Sequence, residues 1–263
     1  MSEMKLFQGD CLEIMKQIAD KSIDMILCDL PYGTTQNEWD SVIDLNQLWE
    51  EYNRIIKDRG CIALFSQTPF DKILGASNLS MLKYEWIWKK KSSTGFLNAN
   101  FAPLKQHENI LIFSKASAGF VKDKSKAMKY NPQKINGAPY KTVTYTHSSN
   151  YGKLKEHVIS SYNDRFPTSI LEFERDNEKY HPTQKPIKLC EYLIKTYTDE
   201  GDIVLDNCMG SGSTGVACKL TNRNFIGIEL DEKYFNIAKQ RIENGFVQEE
   251  ITEDKLSEYP LFE

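Results

Sequence analysis

The four consecutive residues Asp29, Leu30, Pro31 and Tyr32 combine a carboxylate, a stiff turn and an aromatic ring. They follow the mostly apolar run 23–28, which is typical of a buried strand of a parallel sheet, and ligands bind at the carboxyl ends of such strands. Asp29 offers only acceptor oxygens, and Tyr32 offers a flat face for stacking. We therefore predict that this loop binds a planar ring with an exocyclic amino group, although four residues alone also fit an ordinary turn.

Three glycines, Gly210, Gly212 and Gly215, lie between a predicted strand and a predicted helix, and Glu229 ends the strand that follows. Glycines let the backbone approach a ligand, and a carboxylate about 20 residues later accepts the hydroxyls of a ribose. Residues 207–209 make the loop wider than in dinucleotide-binding proteins. The pattern predicts an adenosine-type cofactor with an amino-acid tail, and it leaves an NAD-dependent oxidoreductase as an alternative.

The composition of the 263-residue chain, with 40% hydrophobic and 27% charged residues, is that of a globular protein. Its length fits one α/β domain with an inserted lobe. No apolar run reaches the roughly 18 residues that a membrane span needs, and the first residues carry no apolar signal region, so we expect a cytoplasmic protein without a membrane partner. The six cysteines and four histidines lack metal-ligand spacing, so we predict reduced cysteines and no metal.

Residues 115–180 lack the periodicity of helices and strands but concentrate positive charge. The whole chain has a net charge of −4, yet the part 115–165 contains ten basic residues and three acidic ones, with aromatic residues between them. Phosphates attract such basic residues, and bases stack on such rings. We therefore predict a nucleic-acid recognition lobe, against the alternative of a solvated flexible insert. The lysines expected to contact nucleic acid are Lys122, Lys124, Lys126, Lys129, Lys134 and Lys141.

The spacing of apolar residues predicts the elements that must hold these groups in place. The runs 81–91 and 107–113 are expected to form an antiparallel pair joined by a loop at 92–106. Other strands are predicted at 5–7, 23–28, 61–65, 202–206 and 225–229. Helices are predicted at 11–20, 45–57, 69–77, 186–198, 216–220 and 231–245, with residues 58–60 ending the second of them.

Together the two loops resemble the motifs of DNA amino-methyltransferases. Asp29-Leu-Pro-Tyr32 is similar to their Asp-Pro-Pro-Tyr motif, and the segment 206–214 is similar to their S-adenosylmethionine loop, Asp-Pro-Phe-x-Gly-Ser-Gly-Thr-Thr. Gly227-Ile-Glu229 followed by Tyr234 resembles the ribose motif of the family. His181-Pro-Thr-Gln-Lys-Pro186 resembles the segment that closes over the methionine end of the cofactor.

The order of these motifs, with the catalytic one first and an insert before the cofactor loop, is similar to the β class, in which the methyltransferase sheet is circularly permuted. His107-Glu-x-x-Leu111 resembles a motif that flanks the insert. The resemblance implies a Rossmann-like α/β fold with a mostly parallel sheet and one antiparallel strand. It divides the chain into a catalytic half at 1–114, a target-recognition insert at 115–180, a cofactor-binding half at 181–248 and an acidic tail at 249–263.

The activity that the resemblance implies is methylation of adenine N6 in double-stranded DNA, with S-adenosylmethionine as the methyl donor and the target base flipped out of the duplex. Members that methylate cytosine N4 more often carry Ser at the position of Asp29, so Asp29 favours adenine, with cytosine N4 as the alternative. Asn207 and Cys208 replace a Pro-Phe pair, so the usual aromatic residue beside the cofactor adenine is missing. The family also leaves open a homodimer, a cognate restriction nuclease, and a prokaryotic or phage origin.

By the same resemblance, catalysis is assigned to Asp29, Leu30, Pro31 and Tyr32. Tyr32 is expected to stack on the flipped adenine, while the Asp29 carboxylate and the Leu30 carbonyl accept its two N6 hydrogens. This arrangement turns the nitrogen lone pair towards the methyl group, so catalysis is a matter of position and electrostatics.

The cofactor is expected to contact Asp10 through its adenine, Glu229 through its ribose and Lys185 at its methionine end. Asn37 and Trp39 are expected to close over the flipped base. The residues predicted to line the cofactor site are Asp10, Cys11, Asp29, Lys185, Asp206, Asn207, Cys208, Met209, Gly210, Ser211, Gly212, Ser213, Thr214, Glu229 and Leu230.

Overall fold

A computed structural model describes residues 2–32, 43–143, 147–148, 152–153, 159–178, 180–181 and 183–244. The helices of these ranges are α1 (Cys11–Met15), α2 (Leu45–Ile55), α3 (Phe70–Ser77), α4 (Ile187–Tyr197), α5 (Ser213–Leu220) and α6 (Glu232–Asn244). The strands are β1 (Met4–Gln8), β2 (Ile23–Asp29), β3 (Ile56–Ser66), β4 (Leu82–Thr94), β5 (Lys105–Phe113), β6 (Ile135–Val143), β7 (His147–Ser148), β8 (Gly152–Lys153), β9 (Ile159–Arg165), β10 (Ile170–Glu172), β11 (Ile203–Asp206) and β12 (Asn224–Glu229).

Eight of these strands form one mixed sheet in the order β1-β12-β11-β2-β3-β5-β4-β10. Strand β5 runs antiparallel to β3 and to β4, whereas the other described pairings of this sheet are parallel. The predicted α/β fold, with a mostly parallel sheet and one antiparallel strand, is therefore confirmed. We call the side on which β2, β3, β4, β11 and β12 end the C-terminal edge of the sheet, and the opposite side its N-terminal edge.

Helices cover both faces of the sheet, and strand β2 shows why its sequence is almost continuously apolar. Met25 and Leu27 point into the core beneath α4, α5 and α6. Ile26 and Cys28 point into the core beneath α1, α2 and α3. Because successive strand residues face opposite sides, a strand buried on both faces needs apolar residues at nearly every position.

The end of α2 differs from the prediction. The helix stops at Ile55, and residues 58–60 lie inside β3 instead of terminating a helix. A Cβ on Gly60 would lie 2.9 Å from the carbonyl oxygen of Asp24, at a place where the register of β2 and β3 shifts. The glycine is therefore needed for close approach of two strands at an irregularity, not for a helix cap.

Two other predicted boundaries also change. Helix α1 ends at Met15, and the following residues continue in tighter turns in which the amides of Gln17 and Ile18 donate three residues back. The predicted loop at 92–106 is shorter, because β4 extends to Thr94 and β5 begins at Lys105.

The predicted insert at 115–180 contains several different parts. Strands β6 and β9 form an antiparallel hairpin of their own, which we call the insert hairpin, and β7 pairs with β8. Strand β10, however, extends the main sheet beside β4. The first part of the insert packs on the N-terminal edge, where Lys115 Nζ donates to the carbonyl oxygens of Asn53 and Ile56.

The described part of the chain includes no helix whose length and apolar character would allow it to cross a membrane.

Candidate active site

Asp29 ends β2 at the C-terminal edge, and both oxygens of its carboxylate are engaged. Oδ1 accepts a hydrogen bond of 2.5 Å from the Tyr32 hydroxyl, and Oδ2 accepts one from the ammonium of Lys185. The Tyr32 ring packs against Phe70, with ring centroids 5.2 Å apart. Burial raises the pKa of Asp29, against the opposing effect of Lys185. The end of β2 therefore presents a partly buried acceptor carboxylate directly beside an aromatic ring.

A second buried carboxylate, Glu108 on β5, extends this network. Its Oε2 lies 3.5 Å from Lys185 Nζ, and its Oε1 accepts a hydrogen bond from Lys90. Burial alone would raise the pKa of Glu108, but Lys185 and Lys90 together lower it. Burial would likewise lower the pKa of Lys185, but Asp29 and Glu108 raise it. Lys185 therefore stays protonated and is shared between two carboxylates.

Glu229 ends β12 and binds the glycine loop with its carboxylate. Oε2 accepts a 2.8 Å hydrogen bond from the amide of Gly210, and Oε1 accepts a 2.9 Å bond from the amide of Asp231. Burial raises the pKa of Glu229. Since each carboxylate oxygen can accept two hydrogen bonds, Glu229 can hold the loop and still accept the hydroxyls of a ribose.

The glycine loop approaches α6 so closely that a side chain is excluded at Gly212. This residue adopts φ +82, and a Cβ there would lie 2.9 Å from the Cβ of Ala238. Gly210 also has a positive φ, +51. Glycine is the residue that adopts this backbone region without strain, so the spacing of the loop follows from its geometry.

Asn207 and Cys208, the two departures from the family motif, are tied into the protein body. Asn207 Oδ1 accepts a 2.5 Å hydrogen bond from the Tyr52 hydroxyl, and its Nδ2 lies 3.6 Å from Cys11 Sγ and 3.5 Å from Cys208 Sγ. The neighbouring Asp206 is buried at the end of β11, and burial raises its pKa to about 7. A polar and sulfur-containing cluster thus replaces the missing aromatic residue.

One cavity of about 470 Å³ joins the loop at 29–32 to the glycine loop and Glu229. Every residue predicted for the cofactor site lines it except Gly212, which is turned towards α6. Ser213 also lines the cavity, although its hydroxyl oxygen is buried and has no hydrogen-bond partner among the described residues. The volume is typical of a site for a small organic ligand. Carboxylate acceptors and a glycine loop in the cavity wall fit a nucleoside with a polar tail.

None of the predicted DNA-contacting lysines whose side chains are described lines this cavity. Residues 115–132 run along the N-terminal edge of the sheet, opposite Asp29. The ammonium of Lys129 is held there by Asp199 and Asp202, at 2.9 Å and 2.6 Å. Its position is thus explained by the packing of the insert on the protein body.

The remaining predicted lysines fall into three situations. Lys134 pairs with Asp164 at 2.9 Å, at the base of the insert hairpin. The side chain of Lys141 lies outside the described residues. The same is true of Asn37 and Trp39, which were predicted to close over the flipped base. The lysines exposed along the N-terminal edge are Lys122, Lys124 and Lys126. DNA contact by any of them stays a prediction.

Several residues of the cavity are not among the predicted site residues, although Glu108 and His181 each belong to a segment that carries the family resemblance. Glu108 belongs to the segment His107-Glu-x-x-Leu111, and that motif was the available signal for it. The ring of His181 lies 4.2 Å from that of Tyr234, and burial lowers the pKa of His181 to about 4, so the ring is neutral at pH 7. No spacing rule in the sequence indicated the contact of Lys185 with Asp29, which are 156 positions apart.

Comparison with known proteins places this geometry in a family. The N6/N4 methyltransferase family model, described as DNA methylase, matches residues 23–240. The chain is 28% identical to the type II methyltransferase M.HpaI of Haemophilus parainfluenzae, over 98% of this chain and 80% of that protein. It is also 28% identical to the DNA adenine methyltransferase YhdJ of Escherichia coli (strain K12), over 90% of this chain and 82% of YhdJ.

Among solved structures, the complex of M1.HpyAVI with SAM matches this fold with a TM-score of 0.60 at 25% sequence identity. That match covers 90% of this chain and 99% of the M1.HpyAVI chain. Because the family model spans most of the chain, including both the Asp29 loop and the glycine loop, the chain belongs to the N6/N4 DNA methylase family.

Proposed function

We propose that this protein transfers the methyl group of S-adenosylmethionine to N6 of an adenine in double-stranded DNA. The observation that carries the proposal is that Asp29 and Glu229 open into one cavity, so that a base bound at the first can face a cofactor bound at the second. The family match supports methyl transfer over the NAD-dependent alternative. The presence of Asp at position 29, and the resemblance to YhdJ, support adenine over cytosine.

The reaction requires a base that has left the duplex, because the Asp29 loop cannot be reached by a stacked base. The Asp29 carboxylate and the Leu30 carbonyl accept hydrogen bonds from the two N6–H groups of the flipped adenine. Tyr32 exchanges its hydrogen bond with Asp29 for stacking on the base, since Oδ1 is occupied by its hydroxyl in the present structure. Lys185 holds the other carboxylate oxygen and fixes the direction of Asp29.

The cofactor half of the cavity supplies acceptors and backbone amides. S-adenosylmethionine, when bound, provides a methyl carbon that is open to attack by a nitrogen lone pair. Glu229 would accept hydrogen bonds from the ribose hydroxyls, and Asp10 would hold the adenine of the cofactor. The loop at 206–214 would hold the methionine end.

The biological setting follows from the relatives. M.HpaI is a type II methyltransferase from a bacterium, so we infer a DNA-modifying enzyme of bacterial or phage origin that acts in the cytoplasm. A homodimer and a cognate restriction nuclease stay predictions, which size measurements in solution and the neighbouring genes can test.

The decisive experiment replaces Asp29 by Ala. Loss of the carboxylate removes the acceptor that orients N6, so we expect methyl transfer to fall by at least about a hundredfold, as for loss of an electrostatic group in other active sites. Binding of S-adenosylmethionine, measured by calorimetry, should persist because Glu229 and the glycine loop are unchanged. Transfer is measured with labelled cofactor on mixed-sequence DNA, followed by nucleoside analysis of the modified base.

The matched control is Asp58→Ala, which removes an exposed aspartate paired with Lys21 at the N-terminal edge. This variant should keep full activity. If Asp29→Ala methylates DNA at the rate of the parent protein, the assignment of Asp29 is wrong. If nucleoside analysis yields N4-methylcytosine, the enzyme is the cytosine-specific alternative.

A further inference from the structure

The loop between β4 and β5 exposes large apolar side chains to solvent. Residues 95–104, which we call the apolar loop, include Phe96, Leu97 and Phe101 with exposed fractions of 68%, 98% and 89%. All ten residues of this loop are exposed. Single exposed apolar residues are common on protein surfaces, but a group of them in one short segment indicates a binding surface.

The apolar loop lies at the C-terminal edge, beside the cavity. Strand β4 is connected to the loop at this edge, since β5 runs antiparallel to both β3 and β4. The first residue of β5, Lys105, donates a hydrogen bond to Gln67, which lines the cavity. Trp88 on β4 and Glu108 on β5 also line the cavity. The loop is therefore carried by the same two strands that form one wall of the site.

The apolar loop is an ordered turn. Gly95 adopts φ +93 and precedes a short 3₁₀ turn at Phe96–Asn98. The carbonyl oxygen of Asn98 accepts hydrogen bonds from the amides of Phe101 and Ala102. These hydrogen bonds fix the backbone at both ends of the turn, so Leu97 and Phe101 are presented to solvent from an ordered segment.

Base flipping needs a group of this kind. Removal of an adenine from the stack breaks a pair and leaves a gap, at an energetic cost that decreases when the base is already unpaired. Proteins that distort the duplex insert apolar side chains between base steps to fill such gaps. We propose that the apolar loop inserts Leu97 and Phe101 into the stack beside the target adenine and holds it out of the duplex. This inference rests on the proposed function.

Neighbouring groups suit the DNA on either side of the insertion. Lys91, at the end of β4, pairs with Glu174 at 2.6 Å, and both side chains are exposed. Exposed pairs of this type contribute little to stability, so Lys91 can exchange Glu174 for a phosphate. The exposed amides of Asn98 and Asn100 can form hydrogen bonds with base edges. A second copy of the chain is the other occupant that an apolar surface could bind, but these polar groups and the adjacent cavity favour DNA.

The test compares paired and unpaired targets. The target sequence is first found by sequencing DNA that the parent protein has methylated. Two duplexes containing it are then made, one fully paired and one with an abasic site opposite the target adenine. The double variant Leu97→Ser, Phe101→Ser should lose about tenfold or more in kcat/KM on the paired duplex, and little on the duplex in which unpairing is already accomplished.

The matched control is Leu79→Ser, which changes a leucine that is 68% exposed in the turn before β4, at the N-terminal edge. It should behave as the parent on both duplexes. Fluorescence of 2-aminopurine at the target position should rise with the parent protein and rise less with the double variant.

Three outcomes would overturn the inference. The double variant could retain full activity on the paired duplex, or it could lose activity equally on both duplexes. Thirdly, its loss could follow a change from dimer to monomer in sedimentation experiments, which would assign the loop to a second copy of the chain. Failure of the proposed function is a different result, since the parent protein would then methylate no DNA in the first step and no target sequence would be found.

Discussion

The ammonium of Lys185 lies between two buried carboxylates, those of Asp29 and Glu108. It was expected at the methionine end of the cofactor, and it does line the common cavity, but its described contacts are with the catalytic loop. Opposite charges that share a buried site fix each other in position, and removal of one leaves the others uncompensated. Lys185 therefore positions the acceptor carboxylate in addition to any contact with the cofactor.

The variant Lys185→Met should move the pH dependence of methyl transfer. With the cation removed, burial and Glu108 raise the pKa of Asp29 further, so the ionised form that accepts N6 hydrogens requires a higher pH. We expect the acidic limb of the profile of kcat/KM against pH to shift upwards, with lower activity at pH 7. The free energy of unfolding should also fall, by about 3 kcal/mol for a broken buried pair.

The control for this prediction is Lys89→Met. Lys89 forms an exposed ion pair of 2.7 Å with Glu172 on β10, and such pairs contribute little. Its pH profile should match that of the parent. An unchanged profile in Lys185→Met would show that Asp29 does not depend on the cation.

The sequence predicted individual site residues such as Asp29 and Glu229, but it did not predict ion pairs between residues that are far apart in the chain. Asp29 and Glu229 stand at the ends of apolar runs, so their position at the C-terminal edge followed from the strand pattern. The predicted pairing of 81–91 with 107–113 brings Lys90 close to Glu108, but nothing in the sequence pattern brings Lys185, from the segment before α4, to them. Such contacts depend on the packing of whole strands.

At the scale of elements, Gly212 couples the glycine loop to α6. Replacement by Ala should add strain, because the residue has φ +82, and also a clash, because the new Cβ would meet Ala238 at 2.9 Å. We expect a lower free energy of unfolding in urea. Weaker binding of S-adenosylmethionine should accompany it in calorimetry, since the loop must move away from α6.

Gly201 provides a control with the same φ angle. It also has φ +82, but a Cβ there would meet nothing within 4 Å. Gly201→Ala should therefore show only the strain of a left-handed residue, about 1 to 2 kcal/mol. The overpacking at Gly212 should add about 1 to 3 kcal/mol more. Equal losses in the two variants would contradict the role of the α6 contact.

Most elements could be predicted because their apolar periodicity is strong, and the errors occurred where one residue serves an unexpected purpose. Gly60 was interpreted as a helix end, but it permits close approach of β3 to Asp24. Residues 170–172 gave no clear strand signal, since only Leu171 is buried in β10. An edge strand of three residues is too short for its period to be recognised.

At the scale of the whole molecule, the insert hairpin is connected to the rest of the protein where the start of β6 pairs with the end of β9. Ile135 pairs with Arg165 and Asn136 with Asp164. Because paired strands are close together, a linker of about four Gly and Ser residues can replace 136–164. The shortened protein should still bind S-adenosylmethionine and keep its melting temperature within a few degrees. It should lose its preference for one DNA sequence, as measured by sequencing of methylated bases.

The control for this deletion is a chain in which the same linker is inserted after Val143, leaving the native residues in place. It should retain the sequence preference of the parent, because all native residues of the insert hairpin are still present. If the shortened protein keeps that preference, the insert hairpin does not read the DNA sequence, and recognition would have to lie in the rest of 115–180 or elsewhere.

Because β1 pairs with β12, the first of these strands to leave the ribosome has to wait for a partner that lies far along the chain. Met4 is aligned with Phe225, and the amide of Gly9 donates to the carbonyl oxygen of Glu229. At about 5 to 20 residues per second, translation of the intervening chain takes about 10 to 45 seconds. During that interval the nascent protein lacks β12 and with it Glu229, the residue proposed to bind the ribose of the cofactor. We therefore expect a chain that stops before β12 to bind no cofactor, since it would lack both Glu229 and the strand to which Gly9 is bonded.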